Sequence, residues 1–498
     1  MMNNFIKFDS IWKLTSTQLL DLAMRSRALR EWALKQGEKQ LFDQFVVRNE
    51  DLLPRKAQEM RYLALSNLFH AVDRALADGR ISSQVRRTII KTFVGNVLMG
   101  ETARMEPFVK RNGFRPPTFL VISPTQQCNL YCKGCYAVSS SRDKATLRYD
   151  IFQRVLREKQ DDWGSRFTVI SGGEPLMYRS QGKDFFDILG ENQDTYFMMY
   201  TNGTLIDEEA ARKMAQLGNI TPAISVEGWE KETDARRGPG VFRKVQGAMD
   251  RLVAHGVPFG ISVTATRENA EIILSEKFLD YYFREKGAIY GWIFQYMPIG
   301  RSFTLDLMIT PEQRKWMLEK ELDMIYRKKL FLVDFWNGGP ISVGCIAAGR
   351  PGGYFYIDWN GNVAPCAFFP YYLDNVYKIY EEGRDMTSVL SSEYFRAVQA
   401  WQNEYALGRK QPDDVHNLLM PCPMRDHHKF AYATVNQFGA KPLDGEAAKA
   451  IGDADYHSKL IQYDDRVQEL LDPIWERDFH SGTPGLTAPG RLPVERSS

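Results

Sequence analysis

The sequence predicts an α/β protein: a partial (β/α)6, TIM-like barrel, preceded by an all-helical region and followed by a cysteine-bearing extension. Three observations carry that prediction. Short β-rich runs alternate with amphipathic helical stretches between Pro117 and Gln295. Strand-like alternation is missing before them. The cysteines fall into two groups, Cys128, Cys132 and Cys135 beside the first β-run, and Cys345, Cys366 and Cys422 beyond the last.

The helical region is read over 1–112. Thr15 or Ser16 can cap a helix carrying Leu19, Leu20, Leu29 and Trp32, with Gly37 as its stop. After Pro54, the residues Met60, Ala64, Leu68, Val72 and Leu76 recur every four positions, which gives a helix a single apolar stripe ending near Gly79. A third helix is expected from Ser82 to about Arg104.

The barrel is read over 113–308. Strands are expected at 119–123, 166–170, 195–200, 221–226, 259–264 and 288–295. Helices are expected from Asp150, near Asp184, from Asp207, from Phe242 and around Glu271. Parallel strands need crossover helices, and right-handed crossovers curl such a sheet into an open barrel. The aromatic residues Tyr281, Tyr282, Phe283, Tyr290, Trp292, Phe294, Tyr296 and Phe303 can form barrel core or line an apolar pocket.

The extension is read over 309–478. It opens with a helix that has Pro311 in its first turn and Trp316, Leu318 and Leu322 along it. Residues 354–357 and 362–364, joined through Asp358-Trp359-Asn360-Gly361, read as a hairpin turning on Asn-Gly. Further helices are expected at 387–402 and 445–475. The tail, 479–498, is rich in Gly and Pro and is expected to be disordered.

A chain of 498 residues exceeds one ordinary domain. A net charge of +2 gives no reason to expect nucleic acid binding. No run of about 18 apolar residues marks a transmembrane helix, and Met1-Met2-Asn3-Asn4 does not open a secretory signal. A cytoplasmic, reducing setting is therefore expected, where clustered cysteines serve as metal ligands or reactive groups rather than disulfides.

The most informative run is Ser123-Pro124-Thr125-Gln126-Gln127-Cys128-Asn129-Leu130-Tyr131-Cys132-Lys133-Gly134-Cys135-Tyr136-Ala137, with C-x3-C-x2-C spacing directly after the first strand. Iron–sulfur clusters are held by thiolates, usually four per cluster, so three in one loop leave one iron open. Structural zinc is the alternative, but it wants four ligands and no partner pair lies nearby. Later come Ser171-Gly172-Gly173-Glu174-Pro175, Thr201-Asn202-Gly203-Thr204 and Ile224-Ser225-Val226-Glu227-Gly228. Asp234, Arg237, Gly238, Gly240 and Phe242 follow, with Thr264 and Asn269 after the fifth strand.

These landmarks together resemble the radical S-adenosylmethionine (SAM) superfamily, over roughly residues 117–300. Gly134 stands where many members carry an aromatic residue, with Tyr136 following the third cysteine. The resemblance implies a [4Fe-4S] cluster on Cys128, Cys132 and Cys135, whose open iron chelates SAM. It further implies reductive cleavage of SAM to a 5′-deoxyadenosyl radical that abstracts hydrogen from substrate. The SAM contacts it implies are Gly172, Gly173, Glu174, Pro175, Asn202, Ser225 and Arg237. Glu174 would take the amino group, and Arg237 can pair bidentately with the carboxylate or be an ordinary solvated side chain. Glu227 replaces the commoner Asp, so no direct role is assigned to it. A flavodoxin or ferredoxin-type electron donor is implied.

Cys345, the hairpin ending in Val363-Ala364-Pro365-Cys366, and Pro421-Cys422-Pro423 resemble the SPASM and twitch extensions of that superfamily. Full SPASM extensions carry seven cysteines, so two clusters cannot be held here by cysteine alone. One auxiliary [4Fe-4S] cluster is the expectation, with an open iron or a fourth ligand from Asp426, His427 or His428; buried free thiols are the alternative. The substrate is expected to be small or lipid-like and enclosed with help from the helical region. A peptide- or protein-modifying maturase is the alternative.

Overall fold

The computed structural model describes residues 24–480. The expected caps Thr15 and Ser16, and the tail beyond His480, lie outside the described residues. Helix α1 (Arg27–Phe42) starts at Ser26, whose hydroxyl accepts the Leu29 N–H. It does not stop at Gly37. A Cβ there would meet the Phe69 ring at 3.3 Å, so this glycine marks close packing on α2 (Arg55–Ala77). The third expected helix runs on past α3 (Ser83–Ile89) as a π-helical stretch, Ile90–Met99, and is interrupted only at Gly100, which leads into α4 (Glu101–Asn112).

Strands β1 (Phe119–Ile122), β2 (Phe167–Ile170), β3 (Tyr196–Thr201), β4 (Ile220–Val226), β5 (Gly260–Ala265) and β6 (Tyr290–Gln295) pair in parallel in sequence order. The crossovers include α5 (Tyr149–Asp161), α6 (Phe185–Glu191), α7 (Glu208–Leu217), α8 (Glu230–Arg237) and α9 (Val241–Ala254). Asp184 and Asp207 cap α6 and α7 by accepting first-turn N–H groups, the usual work of short acids at that position. The six-stranded expectation is extended at both edges. A seventh parallel strand, β7 (Leu332–Asp334), joins β6; its three residues are too few to show alternation in sequence. On the other side the hairpin β8 (Tyr356–Ile357) and β9 (Asn362–Ala364) continues the sheet. Tyr356 of β8 pairs in parallel with Val121 of β1, and β10 (Asp374–Asn375) closes that edge.

In the extension, α10 (Pro311–Asp323) begins at a capping box of Thr310 and Gln313. The helix expected at 387–402 is interrupted by Ser391 and Ser392, and α11 (Glu393–Gln402) restarts on the Ser392 hydroxyl. The one expected at 445–475 breaks at Gly452, and α13 (Ala454–Trp475) restarts on Asp453. Between them, α12 (His428–Phe438) occupies a stretch in which the sequence suggests only candidate ligands. No helix among the described residues is long and apolar enough to cross a membrane.

Candidate active site

The loop after β1 is held from several sides. Cys128 N–H donates to the Ser140 carbonyl at 3.0 Å and Gln126 N–H to that of Ala145 at 2.9 Å. Arg301 donates from Nη1 to the Cys132 carbonyl (2.6 Å) and from Nη2 to the Ser139 carbonyl (2.5 Å), and its guanidinium stacks 3.5 Å over the Tyr131 ring. Gly134 sits at φ +61°, and a Cβ there would lie 2.4 Å from the Tyr296 ring. Tyr296, from just beyond β6, thus fills the space that an aromatic side chain at position 134 would need. The Tyr136 hydroxyl bonds Ser171 Oγ and accepts the Gly172 N–H, tying this loop to the one after β2.

That second loop packs on the first. A Cβ on Gly173 would fall 2.2 Å from the Gln127 carbonyl oxygen, so only glycine fits. Glu174 stands behind the wall, wholly buried. Its Oε1 accepts the Thr201 hydroxyl (2.8 Å) and Leu176 N–H (3.2 Å), and its Oε2 accepts the Asn202 N–H (2.9 Å). Burial pushes this carboxyl up to about 6. Asn202 donates to Asn129 Oδ1 at 2.9 Å and lies 3.7 Å from Cys128 Sγ. Arg237 is not a freely solvated side chain: only about 10% of it is exposed, and its Nη1 lies 3.9 Å from Cys132 Sγ. Glu227, assigned no role from the sequence, is wholly buried and holds it. Its Oε1 accepts Arg237 Nε at 2.8 Å and Arg236 Nη1 at 2.6 Å, and Oε2 accepts the Thr264 N–H at 3.3 Å.

The second cysteine group faces the same space. Arg350, buried, donates from Nε to the Cys345 carbonyl (2.5 Å) and from Nη2 to that of Ser342 (2.7 Å). Cys366 follows the hairpin that lengthens the barrel sheet; its Sγ accepts the Phe368 N–H at 3.3 Å and lies 2.9 Å from the Tyr354 hydroxyl. Cys422 donates its N–H to Asp426 Oδ2 at 3.1 Å. The expected fourth ligands are engaged elsewhere. Asp426 forms a fully buried, two-pronged pair with Arg314 on α10. His427 bonds the Met420 carbonyl, and His428 bonds His457 and the Met424 carbonyl. None of the three lines the cavity described next.

One cavity of about 570 Å³ runs between the two cysteine groups, and all six cysteines line it. Gly172, Gly173, Asn202, Ser225 and Arg237 line it too, whereas Glu174 and Pro175 do not. It extends the length of the barrel. Alternate residues of the strands, Phe119 and Val121, Phe167 and Val169, Trp292 and Phe294, Phe331 and Val333, turn inward along it. The aromatic run of 281–303 is therefore divided: Trp292, Phe294 and Tyr296 face the cavity, while Tyr282, Phe283 and Tyr290 pack in the core. At the end where the strands begin, Phe45, Asp51, Arg61 and Leu65 of the helical region complete the wall.

The donor set fits iron–sulfur ligation. Burial pushes the Cys128 and Cys366 thiols each up to about 12. Such thiols ionise near neutral pH only beside a cation that holds the thiolate. The sulfurs surround a shared space rather than meeting at a point; among the described residues no three His, Cys, Asp or Glu side chains converge as ligands of a single ion.

The model of the radical SAM superfamily matches residues 122–274. The chain is 26% identical to an AdoMet-dependent heme synthase of Methanosarcina barkeri, over 52% of this chain and 79% of that protein. It is 25% identical to a cysteine-type anaerobic sulfatase-maturating enzyme of Clostridium perfringens, over 51% and 75%. The crystal structure of Streptococcus suis SuiB aligns over 64% of this chain and 81% of its own, at 17% identity and a TM-score of 0.49. The chain belongs to the radical SAM superfamily. It is a radical SAM enzyme, and that membership implies a [4Fe-4S] cluster, SAM and a source of reducing electrons.

Proposed function

We propose that this enzyme abstracts hydrogen from a small, largely apolar substrate held inside the barrel, using SAM bound at a [4Fe-4S] cluster on Cys128, Cys132 and Cys135. When bound and reduced, that cluster supplies the electron that cleaves the SAM sulfonium bond. The protein's own residues do the positioning. Arg301 fixes the cysteine loop from its carbonyl side. Glu227 aims Arg237 across the loop, where its guanidinium can receive a carboxylate. Gly172, Gly173, Asn202 and Ser225 border the same space, and the first two leave room for close approach. Glu174 braces the turn at Asn202 and adds negative charge behind an ammonium group. Cys345, Cys366 and Cys422 hold one auxiliary [4Fe-4S] cluster at the opposite wall. Flavodoxin or ferredoxin is the proposed donor of electrons.

The observation that carries the substrate reading is the cavity itself: aromatic along the barrel, bordered by both cysteine groups and lined at one end by Phe45 and Leu65 of the helical region. A predominantly apolar lining suits radical chemistry because it disfavours side reactions with water. Relatives named AdoMet-dependent heme synthase and Fe-coproporphyrin III synthase agree with a small-molecule substrate. The sulfatase-maturating relative favours the second reading, a peptide or protein substrate. The test is 5′-deoxyadenosine formation by anaerobically reconstituted, reduced enzyme supplied with SAM. Wild type forms it, Cys132→Ala does not, and the dialysable fraction of a cell extract stimulates it. Stimulation by the non-dialysable fraction alone would select the maturase reading.

A further inference from the structure

We infer that the Tyr354 hydroxyl donates a hydrogen bond to the Cys366 thiolate and thereby sets the reduction potential of the auxiliary cluster; this rests on the auxiliary-cluster reading above. The hydroxyl oxygen stands 2.9 Å from Cys366 Sγ, shorter than the 3.3 Å of the Phe368 N–H on the same sulfur. Its position is fixed. Tyr354 is 3% exposed, and its ring stacks on Phe119 at 5.1 Å and 19°, at the head of the first barrel strand. The adjoining backbone is tied down as well, with Tyr354 N–H on the Ile346 carbonyl and the Tyr354 carbonyl receiving Gly349 N–H, each at 2.8 Å. Those bonds join it to the loop that bears Cys345. One residue thus joins two of the three cysteine segments, by its backbone to the Cys345 loop and by its hydroxyl to Cys366.

A hydrogen bond to a ligating sulfur favours the reduced, more negative state of a cluster and raises its potential. In an apolar surrounding the bond is stronger than in water. Here the neighbours are apolar: Phe119 lies against the ring and Phe368 follows the sulfur within two residues.

The experiment uses the full chain with Cys128, Cys132 and Cys135 all changed to Ala, so that only the auxiliary cluster is reconstituted. Its potential is read by an electron paramagnetic resonance redox titration. Tyr354→Phe is expected to shift the midpoint to more negative values at unchanged iron content. Tyr354→3-fluorotyrosine, a stronger donor of the same shape, is expected to shift it the opposite way. Unchanged midpoints in both variants would overturn the inference while leaving the cluster in place. A chain that binds no iron in this background would remove the auxiliary cluster, and the inference with it. A phenolate-to-iron charge-transfer absorption that disappears in Tyr354→Phe would overturn it differently, by making Tyr354 a ligand.

Discussion

Arg237 donates from Nε to Oε1 of Glu227 at 2.8 Å, and this carboxylate, buried without solvent contact, also receives Arg236. The pair aims a largely enclosed guanidinium at the loop that carries Cys132. Removing one member of such a pair strands the other charge, which costs of order 3–5 kcal/mol. Glu227→Ala is expected to lower the unfolding free energy by about that much. SAM affinity should fall about tenfold, roughly 1.4 kcal/mol, as read by equilibrium binding to the reconstituted enzyme. Unchanged SAM affinity would remove Arg237 from the SAM site.

Arg301 acts on the same loop through backbone carbonyls. Its two-pronged contact with Cys132 and Ser139 uses the planar fork that lysine lacks. Arg301→Lys is expected to retain roughly half the iron of wild type, because on the proposed two-cluster reading this loop would hold four of about eight irons. Iron analysis together with the loss of the SAM-sensitive electron paramagnetic resonance signal checks this.

Asp426 separates two roles, brace and ligand. Its carboxylate is occupied by Arg314 and the Cys422 N–H. Asp426→Ala is expected to destabilise the chain by about 3–5 kcal/mol, while folded, reconstituted protein keeps the spectrum of its auxiliary cluster. A changed spectrum at unchanged stability would make it a ligand instead.

Glu101, at the start of α4, is buried, and neither carboxylate oxygen has a hydrogen-bond partner among the described residues. Burial pushes it up to about 8, against the opposing charges of Arg115, Arg104 and Lys159. The folded chain therefore keeps a proton that the unfolded chain releases above its ordinary value of about 4.3. Stability from this group is full below that pH, declines as pH rises, and is lost once pH passes about 8. Glu101→Gln should stabilise the protein by roughly 3–5 kcal/mol at pH 8.5 and by almost nothing at pH 4. Denaturant unfolding at the two pH values measures this.

The alternation of β-runs and helices exposed the barrel in the sequence, because each strand buries one residue type pattern and each helix another. The cysteine loop stands out by its spacing together with the later Gly172-Gly173-Glu174-Pro175 and Thr201-Asn202-Gly203 runs, and the hairpin by Asn360-Gly361, where Gly361 adopts φ +78°. What stayed hidden depends on contacts between distant segments. Nothing near β7 marked three residues as a strand, since pairing with β6 defines it. Glu227 read as a departure from a motif, and only the packing of α8 against it shows that it holds Arg237. His427 and His428 read as ligands by their closeness to Cys422. The start of α12 turns them away, toward Met420 and His457.

On the proposed reading, two cysteine groups hold two clusters across one cavity. Iron and sulfide content of anaerobically reconstituted protein tests it most directly. About eight irons per chain are expected in wild type and about four in either Cys132→Ala or Cys366→Ala, because each centre would carry four. About four irons in wild type, unchanged by Cys366→Ala, would contradict it.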